Sequence, residues 1–272
     1  MKLLAQSDDY GITPAVSKGI LDAIDNGIIR NTGMFTNMPY RKQCAEWIKP
    51  YMHKIALGID LNASTGPSLL PHSKIPNLTH EDGTFLTSKE NKAKDNEDNG
   101  YDHVVYEEVY AEFEAQIQEF ITLFSQTPDY IHAHAYCTKT TIRASLDLAE
   151  KYNCLYTSQV ANIPDMQCAK LGWYIYGGSP EKQLTQDLKS YILSDHDHLL
   201  EHSYGYLITH CGYADAPLFD LSSFSLCRVK DLEAMTSLEV KDWVKTNGVE
   251  LITFKDLPYS FKDLKPSNTF PF

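Results

Sequence analysis

The chain has 272 residues, 43% hydrophobic and 11% aromatic, and a chain of this length typically hides about 75% of the surface its unfolded form exposes, so a sizeable core can form and disorder is excluded. Its 36 acidic and 24 basic residues give a net charge of -12 with histidine neutral. No stripe of Lys and Arg is available for a nucleic-acid backbone or an anionic membrane surface, and neither is expected as a partner.

The opening Met-Lys-Leu-Leu-Ala-Gln-Ser-Asp-Asp run meets acids far short of the roughly 7 to 15 apolar residues of a signal-peptide core. No uncharged stretch approaches the roughly 20 apolar residues of a membrane span, so a soluble, cytoplasmic protein is expected. Six cysteines (Cys44, Cys137, Cys154, Cys168, Cys211, Cys227) include no CxxC pair, which suits reduced thiols rather than a disulfide framework or a thiolate zinc site.

Residues 2–7 read as a strand ending in acids. A helix follows, with Thr13 as N-cap, Pro14 at its first position, Val16, Ile20, Ala23 and Ile24 on its apolar side and Gly27 at its close. Ile28–Asn37 then reads as strand, Arg41–Lys49 as helix and Ile55–Leu61 as strand. Val104–Phe124 is a long helix, Tyr130–Ala135 a strand and Ile142–Tyr152 a helix. Gly205–Thr209 and Val249–Phe254 are strands on either side of a helical stretch, Arg228–Thr246, broken near Ser237. This alternation predicts an α/β fold with a mainly parallel sheet. Seven or eight units without a linker favour one TIM-like (β/α) barrel domain over residues 1–272, with an open doubly wound sheet as the alternative. Two stretches break the rhythm. Residues 63–103 hold little hydrophobic periodicity, and Ser88–Asp102 is almost wholly polar, so a surface insertion acting as a lid or binding loop is expected. Leu155–Pro180 receives no assignment.

In parallel β/α folds the site gathers at the carboxyl ends of the strands. Four such ends are polar here: Asp8-Asp9-Tyr10-Gly11, Gly58-Ile59-Asp60-Leu61-Asn62, His132-Ala133-His134 and His210-Cys211-Gly212-Tyr213. Singly, each has an ordinary reading as a turn, a cap or a satisfied polar pair. Together they would leave three acids and three histidines half-buried at one point, which is costly unless they bind a cation or move protons. His132 and His134 are two apart on a strand and share a face, whereas adjacent Asp8 and Asp9 point to different sides if extended. The set suits a metal hydrolase.

At these residues the sequence resembles the YdjC-like carbohydrate deacetylases, a family that includes enzymes acting on diacetylchitobiose and other chitooligosaccharides. Ser-Asp-Asp-Tyr-Gly-Ile-Thr at 7–13 resembles the family's opening Ala-Asp-Asp-Phe-Gly-hydroxyl motif, and Ile-Thr-His-Cys-Gly-Tyr-Ala-Asp at 208–215 its His-Pro-Gly motif. Arg228 with the helix after it, and Gly-Val-Glu-Leu-Ile-Thr-Phe-Lys-Asp-Leu at 248–257, resemble its closing segment. The resemblance implies a distorted (β/α) barrel, a divalent metal, a small carbohydrate substrate and a homodimer. It implies Asp9 and His134 as metal ligands, Asp8 as general base and His210 as the catalytic histidine near the leaving group. This chain departs from the pattern in three places. Asp60 stands where the family has its first metal histidine, His132 and Tyr136 stand where it has an Asp and a His around the second, and Cys211 replaces a proline.

With Asp9, Asp60 and His134 as the ligand face, two carboxylates shift preference toward Mg²⁺ or Mn²⁺ and away from Zn²⁺. His132 is then an additional ligand or proton carrier. Arg228 is assigned to an anionic substrate group or to a helix-start salt bridge, and Tyr10, Tyr136, Tyr213 and Trp173 to the aromatic surfaces of the cleft. The leading expectation is a metal-dependent hydrolase that removes the N-acetyl group of a small amino sugar, phosphorylated or not. The alternatives are a sugar-binding or regulatory protein with a lapsed site, and a barrel hydrolase or isomerase acting on other substrates.

Overall fold

The computed structural model describes residues 1–95, 102–175 and 178–265, which leaves 96–101 of the polar stretch and 176–177 of the unassigned stretch outside the described residues. Strands and helices alternate: β1 (Lys2–Tyr10), α1 (Pro14–Asp25), β2 (Asn31–Met34), α2 (Arg41–Ile48), β3 (Ala56–Leu61), α3 (Ser88–Lys94), α4 (Tyr106–Phe124), β4 (Tyr130–Ala133) and α5 (Lys139–Tyr152). The second half continues with β5 (Leu155–Tyr156), β6 (Met166–Cys168), α6 (Pro180–Gln183), α7 (Leu188–Leu193), β7 (Tyr204–Thr209), α8 (Ala216–Leu221), α9 (Cys227–Thr236), α10 (Leu238–Thr246) and β8 (Glu250–Ile252). The expected caps form. Thr13 accepts from the Val16 amide at 3.2 Å, and Ser237 ends α9 while its hydroxyl opens α10 by accepting from the Val240 amide.

The strand pairs are all parallel, in the order β5-β4-β3-β2-β1-β7-β6. Read around a ring, that is chain order with one gap between β5 and β6, so the sheet curls into a distorted barrel and the doubly wound alternative falls away. β8 pairs only with the first residues of β1, Lys2–Leu4, while β2 pairs from Gln6 onward. Asn31 stitches that junction. Its amide donates to the Ala5 and Ile252 carbonyls at 3.2 and 3.1 Å, and its Oδ1 accepts from the Phe254 amide at 2.9 Å.

Alternation along the strands builds the site. On β1, Leu3 and Ala5 pack outward under the helices, where Val16, Ile20, Phe113 and Ile117 lie, and Leu4 faces the barrel interior with Tyr130, Tyr206 and Phe254. The inward residues therefore form columns: Leu4-Gln6-Asp8, Ala56-Gly58-Asp60, Tyr130-His132-His134 and Tyr206-Ile208-His210. Each column begins small or apolar and ends in an acid or a histidine at the carboxyl end. Gly58 leaves the space that the Tyr130 ring fills, since a Cβ there would come within 2.6 Å of it.

The described part of the polar stretch forms a regular helix at its start. Thr87 and Glu90 form a capping box at the start of α3. Two buried polar residues of α4 then anchor the incoming chain. Glu112 accepts from the Leu69 and Leu70 amides at 3.0 and 2.9 Å, and Gln116 exchanges two hydrogen bonds with the Asn62 backbone. Among the described residues, no helix is long and apolar enough to cross a membrane.

Candidate active site

The two acids at the end of β1 are separated by a kink. Register with β2 shifts between Ser7 and Tyr10, and Asp9 adopts a left-handed φ of 72°, unusual for a residue other than glycine. Asp60 holds that kink, because its Oδ2 accepts from the Asp9 amide at 2.7 Å. The bulge aims the two carboxylates at different partners. Asp8 Oδ2 lies 3.2 Å from His132 Nε2, and Asp9 Oδ1 lies 2.9 Å from His134 Nδ1.

Electrostatics sort these groups. Burial opposes the charge of Asp8, but His132 outweighs it and lowers its pKa. The reciprocal effect raises His132 to about 9 against its own burial, and Thr157 Oγ1 fixes the other ring nitrogen at 2.7 Å. Asp9 is likewise buried, yet His134 and Arg228 hold it well below the ordinary carboxylate range. Asp60, 0% exposed, is pushed well above that range by burial and by the negative charge of Asp8.

Arg228 is 1% exposed. Its Nη2 sits 2.5 Å from Asp9 Oδ2, and its Nε donates to the Phe224 carbonyl at 2.8 Å. Arg228, the second residue of α9, is thus a buried salt-bridge partner of Asp9 and also lines the larger cavity. His210 is oriented from behind. Its backbone amide donates to Asp231 Oδ2 at 2.8 Å, and its Nδ1 lies 2.7 Å from the Tyr174 hydroxyl. Burial pushes His210 down to about 4, so the ring is neutral near pH 7, and pushes Asp231 up to about 7.

Two cavities meet over these residues. The larger, about 700 Å³, is walled by Ser64, Thr65, Lys89, Ser222, Ser223 and the rings of Phe219 and Phe224, among others. The smaller, about 320 Å³, is lined by Asp8, His132, Ala133, Cys137 and Ile208. Asp9, His134, Ala135, Leu171 and His210 belong to both. The expected aromatic surfaces lie elsewhere. Tyr10 is 0% exposed and donates to the Cys44 carbonyl at 2.7 Å, pointing under the helices. Tyr136 donates to Asp95 at 2.8 Å and fastens the insertion. Tyr213 is 43% exposed and donates to Asp22 on the outer face of α1. Trp173 is buried against Tyr191.

Asp9 and His134 supply the donor atoms for the implied metal. Asp9 Oδ1 is buried without a hydrogen-bond partner, although His134 Nδ1 faces it at 2.9 Å. Two donors so placed suit neighbouring positions around one divalent ion that keeps several waters, as Mg²⁺ does. Asp60 does not join them, and among the described residues no three His, Cys, Asp or Glu side chains are arranged to hold an ion. The reason is reach. One Asp60 oxygen is taken by the Asp9 amide, and the other, itself without a hydrogen-bond partner, lies against Gly33, where a Cβ would fall 1.7 Å from it.

Comparison with known proteins agrees with this architecture. A family model described as YdjC-like protein matches residues 2–246. The chain belongs to the YdjC-like family. It is 27% identical over 266 residues to carbohydrate deacetylase 2 of Listeria innocua, covering 95% of this chain and 99% of that one. It is 30% identical over 252 residues to a carbohydrate deacetylase of Halalkalibacterium halodurans, covering 89% and 98%. The crystal structure of a candidate cellobiose-phosphate cleavage protein from Enterococcus faecalis matches with a TM-score of 0.74 at 25% identity, over 93% of this chain and 97% of that one.

Within this YdjC-like chain, sequence reasoning missed Tyr174, Asp231, Phe219 and Phe224. Tyr174 lies in the unassigned stretch, which contains β5 and β6 as well. Asp231 follows Arg228 by three residues, one helical turn, and that spacing was the available signal.

Proposed function

We propose that this YdjC-like chain hydrolyses the N-acetyl group of a small amino sugar. The observation that carries the reading is the meeting of three differently charged groups at one junction: carboxylate Asp8 with its His132 partner, the Asp9–His134 pair, and a neutral His210. The names of the relatives support carbohydrate deacetylation as the class of reaction.

In this reading Asp8 takes a proton from water as the water oxygen bonds to the amide carbon. The carbon–nitrogen bond breaks, and the proton held by Asp8 passes through His210 to the departing amine. A neutral His210 is free to accept it. The products are the free amino sugar and acetic acid. His132 stays protonated to about pH 9 and keeps Asp8 ionised between turnovers. Tyr174 and Asp231 fix the ring and backbone of His210. A divalent ion, Mg²⁺, Mn²⁺ or Zn²⁺, would be held by Asp9 and His134, and when bound it would polarise the amide carbonyl. Lys89, on the wall of the larger cavity, is the group that would meet a sugar phosphate.

The rival reading, a sugar-binding protein with a lapsed site, is favoured by Asp60 standing apart from the donor pair. Acetate release from a panel of N-acetylated mono- and disaccharides, with and without phosphate, separates the two. Asp8→Asn and His210→Ala should each lower kcat by about 10²-fold or more, the scale of general acid–base groups. No acetate from any member with folded, Mg²⁺- or Mn²⁺-supplied protein would overturn the enzyme reading.

A further inference from the structure

The two cavities differ in kind as well as in size. The hydroxyls of Ser64, Thr65, Ser222 and Ser223, with Lys89, line only the larger one. Asp8 and His132 line only the smaller one, whose remaining private wall is Ala133, Cys137 and Ile208. The reacting groups Asp9, His134 and His210 stand where the two join. A hydrolysed amide must lie at that junction, with its two substituents pointing into opposite cavities. The sugar belongs with the hydroxyls, the charges and the two Phe rings. The acyl chain belongs with the short apolar wall.

Size then matters. A cavity of about 320 Å³ equals roughly ten of the ~30 Å³ shares that water molecules take in the liquid, far beyond what a carbonyl and one methyl fill. Small side chains at and just beyond the end of β4, Ala133, Ala135 and Cys137, line it, and Cys137 is exposed.

We infer that the smaller cavity is the acyl subsite and that it accepts chains longer than acetyl, so that N-propionyl and N-butyryl amino sugars are also hydrolysed, to the free amine and the corresponding short carboxylic acid. The inference rests on the deacylation reading and adds the direction and breadth of acyl recognition.

The test compares kcat/KM for N-acetyl, N-propionyl and N-butyryl glucosamine, or the same series on a disaccharide, in wild type and Cys137→Phe. Calorimetric titration of the Asp8→Asn protein, with and without Cys137→Phe, reads binding apart from turnover. The N-butyryl compound should stay within about tenfold of N-acetyl in wild type. Cys137→Phe should cut the butyryl-to-acetyl ratio by at least about tenfold, the low end of discrimination per methylene in a pocket. Cys137→Leu should cut it less, and it replaces the Phe variant if that one fails to fold. A wild-type preference for acetyl above about 100-fold in both turnover and binding, beyond the middle of that range, overturns the inference. So does a ratio unmoved by either variant, or no binding of any of the three. Chain-length tolerance and Cys137 dependence seen in binding without turnover would uphold the subsite and sink the hydrolase reading.

Discussion

Replacing Arg228 by alanine tests the interior charge arrangement most directly. Arg228 and Asp9 are each 1% exposed and meet at 2.5 Å, so the pair lies out of reach of solvent screening. Deletion leaves the Asp9 carboxylate facing only His134, removes the donor from the Phe224 carbonyl and opens space beside the Phe224 ring, 5.5 Å from the guanidinium carbon. Breaking a buried pair from one side typically costs about 3–5 kcal/mol. Against a total stability of about 5–15 kcal/mol, that is a large fraction. Urea unfolding at pH 7, with the midpoint read at constant m, measures it. Asp9→Asn combined with Arg228→Met removes both charges together, so the double variant should lose less than the sum of the two single losses. A cost below about 1 kcal/mol for Arg228→Ala, the level of exposed pairs, would refute the reasoning, as would simple additivity.

Two further outcomes follow from the same geometry. His132 has a folded pKa of about 9 against 6.5 for the free side chain, so its contribution to stability is full below pH 6.5 and lost as pH rises through about 9; His132→Gln should flatten the stability profile across that window, and an unchanged profile would disconnect His132 from Asp8. Asp60→Ala should leave Mg²⁺ and Mn²⁺ affinity nearly intact while costing about 1–3 kcal/mol, because it orphans the buried Asp9 amide, whereas Asp60→His should gain Zn²⁺ affinity through a longer imidazole donor. Loss of all metal binding in Asp60→Ala at unchanged stability would return Asp60 to the ligand set.

Much of this architecture can be read from the chain, because inward columns ending in acids and histidines need only period-two alternation to be seen. Asp8, Asp60, His132 and His210 each stand two residues beyond an inward neighbour on the same strand. β5 and β6 are not legible, having two and three residues, too few for any periodicity. The insertion is opaque for a different reason. Its anchors, Glu112 and Gln116, are polar residues on the buried face of α4, and hydrophobic patterning treats them as solvated. The aromatic assignments failed because nearness in sequence to a site residue says nothing of direction. Tyr10 and Tyr213 adjoin site segments, yet the kink after Asp9 and the turn after His210 send both rings away from the cavity.

The interior charges explain why three acids can share one barrel end. If Asp8, Asp9 and Asp60 were all ionised, burial would be prohibitive without compensation. Instead each acid meets a different fate. Asp8 is paired with a protonated His132, and Asp9 with Arg228, whereas Asp60 receives one backbone N–H and faces two like charges, which with burial raise its pKa well above the usual carboxylate range. The charges of Asp8 and Asp9 are thereby set against the positive charges of His132 and Arg228. The balance is supplied by the chain itself, which sequence alone could not reveal because Arg228 lies 219 residues from Asp9. An arriving divalent ion would therefore meet the Asp9 carboxylate and the His134 imidazole facing it rather than an uncompensated cluster of acids. Two protein donors leave most of an ion's positions to water, and an imidazole at position 60 is the change that would add a third and favour Zn²⁺.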